Sequence, residues 1–151
     1  MSTKTIAPTS HVGAVRAYLA RWNQGVESAR EATVEVMAPD CLWEQPGCPT
    51  TTSPAEAVEL ITQWHDAMGM DRVHHEMRFA AGAGARVFTE RVNHIYIDDG
   101  TLVVSLPSAG VFEFDDDGRL TAWREYYDAR RMQALLVATG VHEAERRPRT
   151  R

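Results

Sequence analysis

The chain has 151 residues, of which 44% are hydrophobic and 25% charged, and its formal net charge is −5. That length supports one domain with a sizeable core, and the acidic balance argues against a nucleic-acid partner. No apolar run approaches the ~18 residues of a membrane span. Residues 1–10 contain Lys4 but not the apolar stretch of a secretory signal, so a cytoplasmic protein is expected.

The expected domain plan is a disordered arm over 1–10, a single pocket-forming domain over 11–140 and a mobile basic tail over 141–151. The tail holds Arg146-Arg147-Pro148-Arg149-Thr150-Arg151, a run that reads as a solvated, frayed end. Cys41 and Cys48 fit no common zinc spacing and make no disulfide scaffold, so both read as reduced thiols.

Val12, Val15, Tyr18, Leu19 and Trp22 recur at three- and four-residue spacing and predict a helix over 11–23, capped by Ser10 and ended by Gly25. A second short helix is predicted over 28–37, with Pro39-Asp40 breaking the chain. Residues 41–45 read as a short strand stopped by Pro46-Gly47. Ser53-Pro54-Ala55-Glu56 carries the signature of a helix start, and that helix is predicted to reach Met68. Four strands follow, over 72–80, 86–97, 101–114 and 120–127. They are joined by turns at Gly82-Ala83-Gly84, Asp98-Asp99-Gly100 and Asp115-Asp116-Asp117-Gly118. A last helix is predicted over 129–139, ended by Gly140. This order is α+β. A curved antiparallel or mixed sheet wrapped over the helices would leave a conical pocket, and Gly110 fits a bulge or bend that curves it.

Strand alternation then sorts the side chains. Thr89, Arg91, Asn93, Ile95 and Ile97 share one face; Trp123, Glu125 and Tyr127 share another; Trp43 and Gln45 go together. Arg91 and Glu125 are ionisable residues inside apolar, β-prone runs, where a charge is costly to bury unless paired. As a pair they read either as a strut that fixes register or as the core of an acid/base site. In the second reading Arg91 lowers the pKa of Glu125 and keeps it ionised as a base. Asn93 and Gln45 read as ligand contacts or as satisfied internal amides. Trp43, Phe112, Trp123 and Tyr127 are core or pocket wall, and Tyr18 reads first as a core aromatic. His65, His74 and His75 form no metal motif, and His74 and His75 are adjacent on opposite strand faces.

Three segments carry a family resemblance: Thr89-Glu90-Arg91-Val92-Asn93, Gly110-Val111-Phe112 and Trp123-Arg124-Glu125-Tyr126-Tyr127-Asp128. In order and spacing they resemble the limonene-1,2-epoxide hydrolases, which belong with the SnoaL-like polyketide cyclases to the nuclear-transport-factor-2-like superfamily. The likeness extends more weakly over 12–136. It implies an α+β barrel of that type, a homodimer formed through the sheet, a hydrophobic small-molecule substrate, and no metal or other cofactor. The family works by push and pull: one Asp is the base for a water held by a Tyr and an Asn, a second Asp protonates the epoxide oxygen, and an Arg bridges the two carboxylates. Here the Arg matches Arg91 and the base position is Glu125. The acid position is Asn93, the water-holding Tyr position is Trp43, and the water-holding Asn position is Gln45. An amide cannot deliver a proton, but its NH₂ can donate to a developing oxyanion. Tyr18 resembles the first-helix Tyr of the ketosteroid isomerases, while their two carboxylates fall at Gln45 and about Gly110 and are absent.

Three functions follow as expectations. The first is acid/base opening of an epoxide on a hydrophobic substrate, terpenoid or polyketide-like, with Glu125 as base. The second is cyclisation, isomerisation or dehydration by the same Glu125 without water. The third is a binder that kept the pocket and lost the chemistry.

Overall fold

In the computed structural model, which describes residues 10–138, five strands form one sheet in the order β1-β5-β4-β3-β2. The expected arm over 1–10, but for Ser10, and the expected tail over 141–151 lie outside the described residues, as does Gly140.

Helix α1 (His11–Trp22) starts where Ser10 Oγ accepts from the Gly13 amide at 3.0 Å, and it buries Val15, Tyr18, Leu19 and Trp22. Gly25 does not end this helix. It caps the start of α2 (Val26–Val36) in a positive-φ conformation (114°) that glycine adopts without strain. The second helix therefore begins two residues earlier than expected.

Strand β1 (Met37–Glu44) runs straight through Pro39 and Asp40, which were expected to break the chain. The reason is position. β1 is an edge strand, and both residues are exposed where its pairing with β5 shifts register between Met37 and Leu42. A proline costs no ladder bond at such a place.

Helix α3 (Pro54–Met68) has the expected limits: Ser53 Oγ accepts from the Glu56 amide, and Glu56 reaches back to the Thr52 amide, both at 3.2 Å.

Strands β2 (Met70–Ala83), β3 (Arg86–Ile97), β4 (Leu102–Phe114) and β5 (Leu120–Tyr127) form an antiparallel meander, and β1 adds to β5 in parallel. Gly82 and Ala83 were expected in the first turn but pair with Val87 and Arg86, leaving Gly84 and Ala85 as a two-residue turn. Helix α4 (Ala129–Ala138) follows. The sheet is open, with β1 and β2 as its edges, so the expected barrel does not close.

The helices cover one face of the sheet. Along β3 this face buries Val87, Thr89, Arg91, Asn93 and Ile95, while Phe88 and Glu90 are exposed on the other. The strand alternation read from the sequence is the one observed. An aromatic cluster fills the space between sheet and helices. Trp43 and Phe112 both stack on Trp123, with ring centres 4.9 and 5.3 Å away, and Tyr18 and Trp22 meet Trp123 edge-on. Such aromatic pairs add about 0.5–1.5 kcal/mol each beyond the area they bury.

Candidate active site

Arg91 lies on β3 and Glu125 on β5, with β4 between them. Neighbouring strands are about 4.8 Å apart, so the two side chains can meet only by crossing over β4. The register puts Gly110 under the crossing, opposite Thr89 on one side and Glu125 on the other. A Cβ at position 110 would lie 2.8 Å from Arg91 Nη2, 2.8 Å from Glu125 Oε1 and 2.9 Å from Thr89 Oγ1. Pairing is unbroken through Gly110, and the irregularities of β4 fall elsewhere. The expected bulge is thus absent; this glycine is needed because an ion pair lies directly on its backbone.

Arg91 is buried and donates to four groups. Its Nε donates to Thr89 Oγ1 at 3.0 Å, its Nη1 to Asn93 Oδ1 at 3.0 Å and His75 Nδ1 at 2.8 Å, and its Nη2 to Glu125 Oε1. Glu125 Oε1 also accepts from Trp123 Nε1. Glu125 Oε2 is buried and has no hydrogen-bond partner among the described residues. One carboxylate oxygen is committed to the protein and the other is available. Burial lifts the Glu125 carboxyl above the usual glutamate range, outweighing the downward pull of Arg91 and of the two hydrogen bonds. The direction is opposite to the one expected from the sequence, where only the neighbouring charge was visible.

Asn93 is held at both ends: Oδ1 accepts from Arg91, and Nδ2 donates to Ser108 Oγ at 3.1 Å. His75 comes from β2, where it pairs with Asn93 across the sheet. Burial and the guanidinium beside it hold the His75 imidazole neutral, well below its ordinary pKa.

Glu125 and Asn93 open onto a cavity of about 60 Å³ whose wall also includes Trp43, Gln45, Trp123 and Tyr127. Its remaining wall comes from Trp22, Trp64, Met68, Met70, Val73, His75, Ile95, Leu106 and Met132. Five of these residues present a buried polar atom with no partner among the described residues: Trp22 Nε1, Trp43 Nε1, Gln45 Nε2, His75 Nε2 and Glu125 Oε2. An unsatisfied buried polar group costs about 1–3 kcal/mol. Five such atoms surround one small apolar space.

Of the residues expected at the site, Arg91 lies behind the cavity and holds Glu125. Tyr18 and Phe112 do not line it. Tyr18 is buried with its hydroxyl 2.7 Å from Thr33 Oγ1, and Phe112 backs Trp123, so both act as core. Tyr127 donates to the Pro46 carbonyl at 3.0 Å and tethers the loop that carries Gln45. His75 and Trp22 were not expected there. Alternation from the buried Val73 places His75 on the inner face, and Trp22 ends the apolar stripe of α1, so both signals were present. Among the described residues no group of three His, Cys, Asp or Glu side chains could hold a metal ion.

The model of the limonene-1,2-epoxide hydrolase catalytic domain matches residues 9–138. The chain belongs to this family. Over 89 residues it is 33% identical to the epoxide hydrolase EphG of Mycobacterium tuberculosis, a match covering 59% of this chain and 56% of that protein. The chain thus spans little more than half the length of that curated relative. The solved structure of an LEH-like epoxide hydrolase from M. tuberculosis superposes with a TM-score of 0.66 at 26% identity, covering 89% of this chain and 94% of that one. A protein from Shewanella denitrificans described as a SnoaL-like polyketide cyclase shares the fold at a TM-score of 0.69 and 13% identity, over 85% of this chain and 97% of that one.

Gly110→Ala should push the guanidinium and carboxylate apart. We expect a loss of about 1–3 kcal/mol of stability, the usual cost of overpacking, and a fall in turnover of any epoxide the protein converts. Thermal denaturation checks the first; an unchanged melting temperature would refute the tight crossing.

Proposed function

We propose that the protein opens an epoxide on a hydrophobic substrate by acid/base chemistry without a cofactor. Glu125 serves as the general base and Arg91 positions it. The observation that carries this reading is the unpartnered Oε2 of a buried carboxylate in the wall of an aromatic pocket. A water donating to Oε2 and accepting from the N–H of Trp43 or Gln45 keeps one lone pair for attack. A base works best with a pKa moved toward the working pH, so the upward shift that burial gives Glu125 supports this role. The family membership and the activity in EphG's name support an epoxide as the reacting group.

The cavity is far below the roughly 300–1,000 Å³ of typical ligand sites. Three of its wall residues, Met68, Met70 and Met132, are unbranched and can repack around a terpenoid or polyketide-like guest.

We also propose a homodimer formed through the outer face of the sheet. There Phe79, Glu90, Ala109 and Tyr126 form one cross-strand row, with Phe88 nearby, and Phe79, Phe88 and Tyr126 are exposed. Exposed aromatics grouped on one face favour such pairing.

Incubation with limonene 1,2-epoxide and styrene oxide in ¹⁸O-water should yield labelled diol. Conversion without label would mean cyclisation or rearrangement by the same base, which Asn93 at the acid position favours. Binding without turnover would identify a binder. Glu125→Gln should lower kcat by about 10²–10⁴-fold, the scale of a lost general base, and full activity in that variant would rule Glu125 out. The carboxylate is the working form and its pKa is raised. Activity should therefore fall with decreasing pH at a value above that of an ordinary glutamate, and a fall only in the ordinary range would count against the buried base. Sedimentation velocity should give a dimer that Phe88→Glu dissociates; a wild-type monomer at micromolar concentration would refute the pairing.

A further inference from the structure

With Asn93 at the acid position and Glu125 as the base, an opening epoxide leaves negative charge on an oxygen that needs a donor. We propose that His75 supplies it, binding that oxygen through Nε2–H. This rests on the reading of Glu125 as base.

The geometry begins at Arg91. Its Nη1 lies 2.8 Å from His75 Nδ1, and a guanidinium donates at every pH. We therefore assign Nδ1 as an acceptor, so the imidazole proton sits on Nε2. Nδ1 also lies 2.8 Å from Asn93 Oδ1, and the two hydrogens of Nη1 serve the two acceptors. Nε2 is buried without a partner among the described residues, and His75 shares the cavity wall with Glu125. The ring meets Trp22 edge-on at 6.0 Å, which fixes its orientation.

Arg91 thus joins the two ends of the site, with Nη2 on Glu125 and Nη1 on His75. The same guanidinium that fixes the base fixes the tautomer of the donor. Asn93 is less suited to the task, since its Oδ1 and one Nδ2 hydrogen are engaged by Arg91 and Ser108. Burial and Arg91 keep the imidazole neutral. A neutral imidazole is an effective electrophile in enzymes that polarise a substrate oxygen.

The step balances as follows. Water gives a proton to Glu125 Oε2, and its oxygen bonds to one epoxide carbon. The carbon–oxygen bond of the ring breaks, and its electron pair stays on the oxygen held by His75 Nε2–H. The proton on Glu125 then returns to that alkoxide through solvent, giving the diol and restoring both side chains. The substrate class is therefore a small hydrophobic molecule whose oxygen acceptor faces β2 while its electrophilic carbon faces β5.

Two variants separate donation into the cavity from support of Arg91. His75→Gln places an amide N–H near the position of Nε2 but leaves Arg91 without its acceptor. His75→Asn keeps an acceptor near Nδ1 and removes the donor. With limonene 1,2-epoxide and styrene oxide as probes, His75→Asn should lower kcat by about 10²–10³-fold, the effect of losing one oxyanion donor, while His75→Gln stays within about tenfold of wild type. The reverse order would overturn the proposal and leave His75 as a support for Arg91. If the variants do not fold, the ¹⁵N shifts of His75 in the wild-type protein decide: protonation on Nε2 is expected, and protonation on Nδ1 overturns the assignment. A protein in which Glu125→Gln is dead but His75→Asn is fully active would lose this donor and keep its base; an active Glu125→Gln would remove the base itself.

Discussion

A guanidinium removed from water has to find acceptors for its N–H groups, and in this protein that requirement organises a whole sheet. Arg91 draws Thr89 and Asn93 from its own strand, His75 from β2 and Glu125 from β5. From β4 it needs clearance, which Gly110 gives. A slip of one residue in any of these pairings would turn an acceptor to the opposite face. The arrangement holds only in the observed register, so the charge and the sheet specify each other.

Stability alone is a poor reason to bury such a pair, because well-packed hydrophobic residues of similar volume often do as well or better. The distribution of hydrogen bonds on Glu125 gives a better one. Two donors converge on Oε1, which anchors the carboxylate, while Oε2 is left unmatched beside the cavity. Trp123 takes part in both functions. Its N–H helps hold Oε1, and its ring carries Trp43 and Phe112 in the aromatic stack. Packing and electrostatics are therefore coupled at one residue, and a change to the stack would be felt at the carboxylate.

Much of this was legible in the sequence. The limits of α3, β3 and β5 followed from a capping pattern and from Asp-Gly turns, and strand alternation placed Arg91, Asn93, Trp123 and Glu125 on the inner side. What was not legible depended on neighbours distant in the chain. Pro39 reads as a breaker until β1 is known to be an edge strand. Gly110 reads as a bend until two side chains from other strands are seen lying on it. The pKa of Glu125 moves up because of burial, which no local pattern reports. His75 was set aside for lacking a metal motif, although its place on β2 beside Val73 carried the relevant signal. Tyr18, which reads first as a core aromatic, is core, and the residue that satisfies its hydroxyl, Thr33, lies on another helix.

The chain has four tryptophans, and Trp22, Trp43, Trp64 and Trp123 all line the same cavity. Trp43 and Trp123 are stacked with their ring centres 4.9 Å apart and their planes 10° from parallel, close enough for their electronic transitions to mix. The entire indole absorption and emission of the described fold therefore originates at the site, with no tryptophan elsewhere to dilute it. A guest entering the cavity changes the polarity around every emitting ring and the angle between the coupled pair. The protein consequently carries its own optical reporter of occupancy, readable in near-ultraviolet circular dichroism and fluorescence without any label.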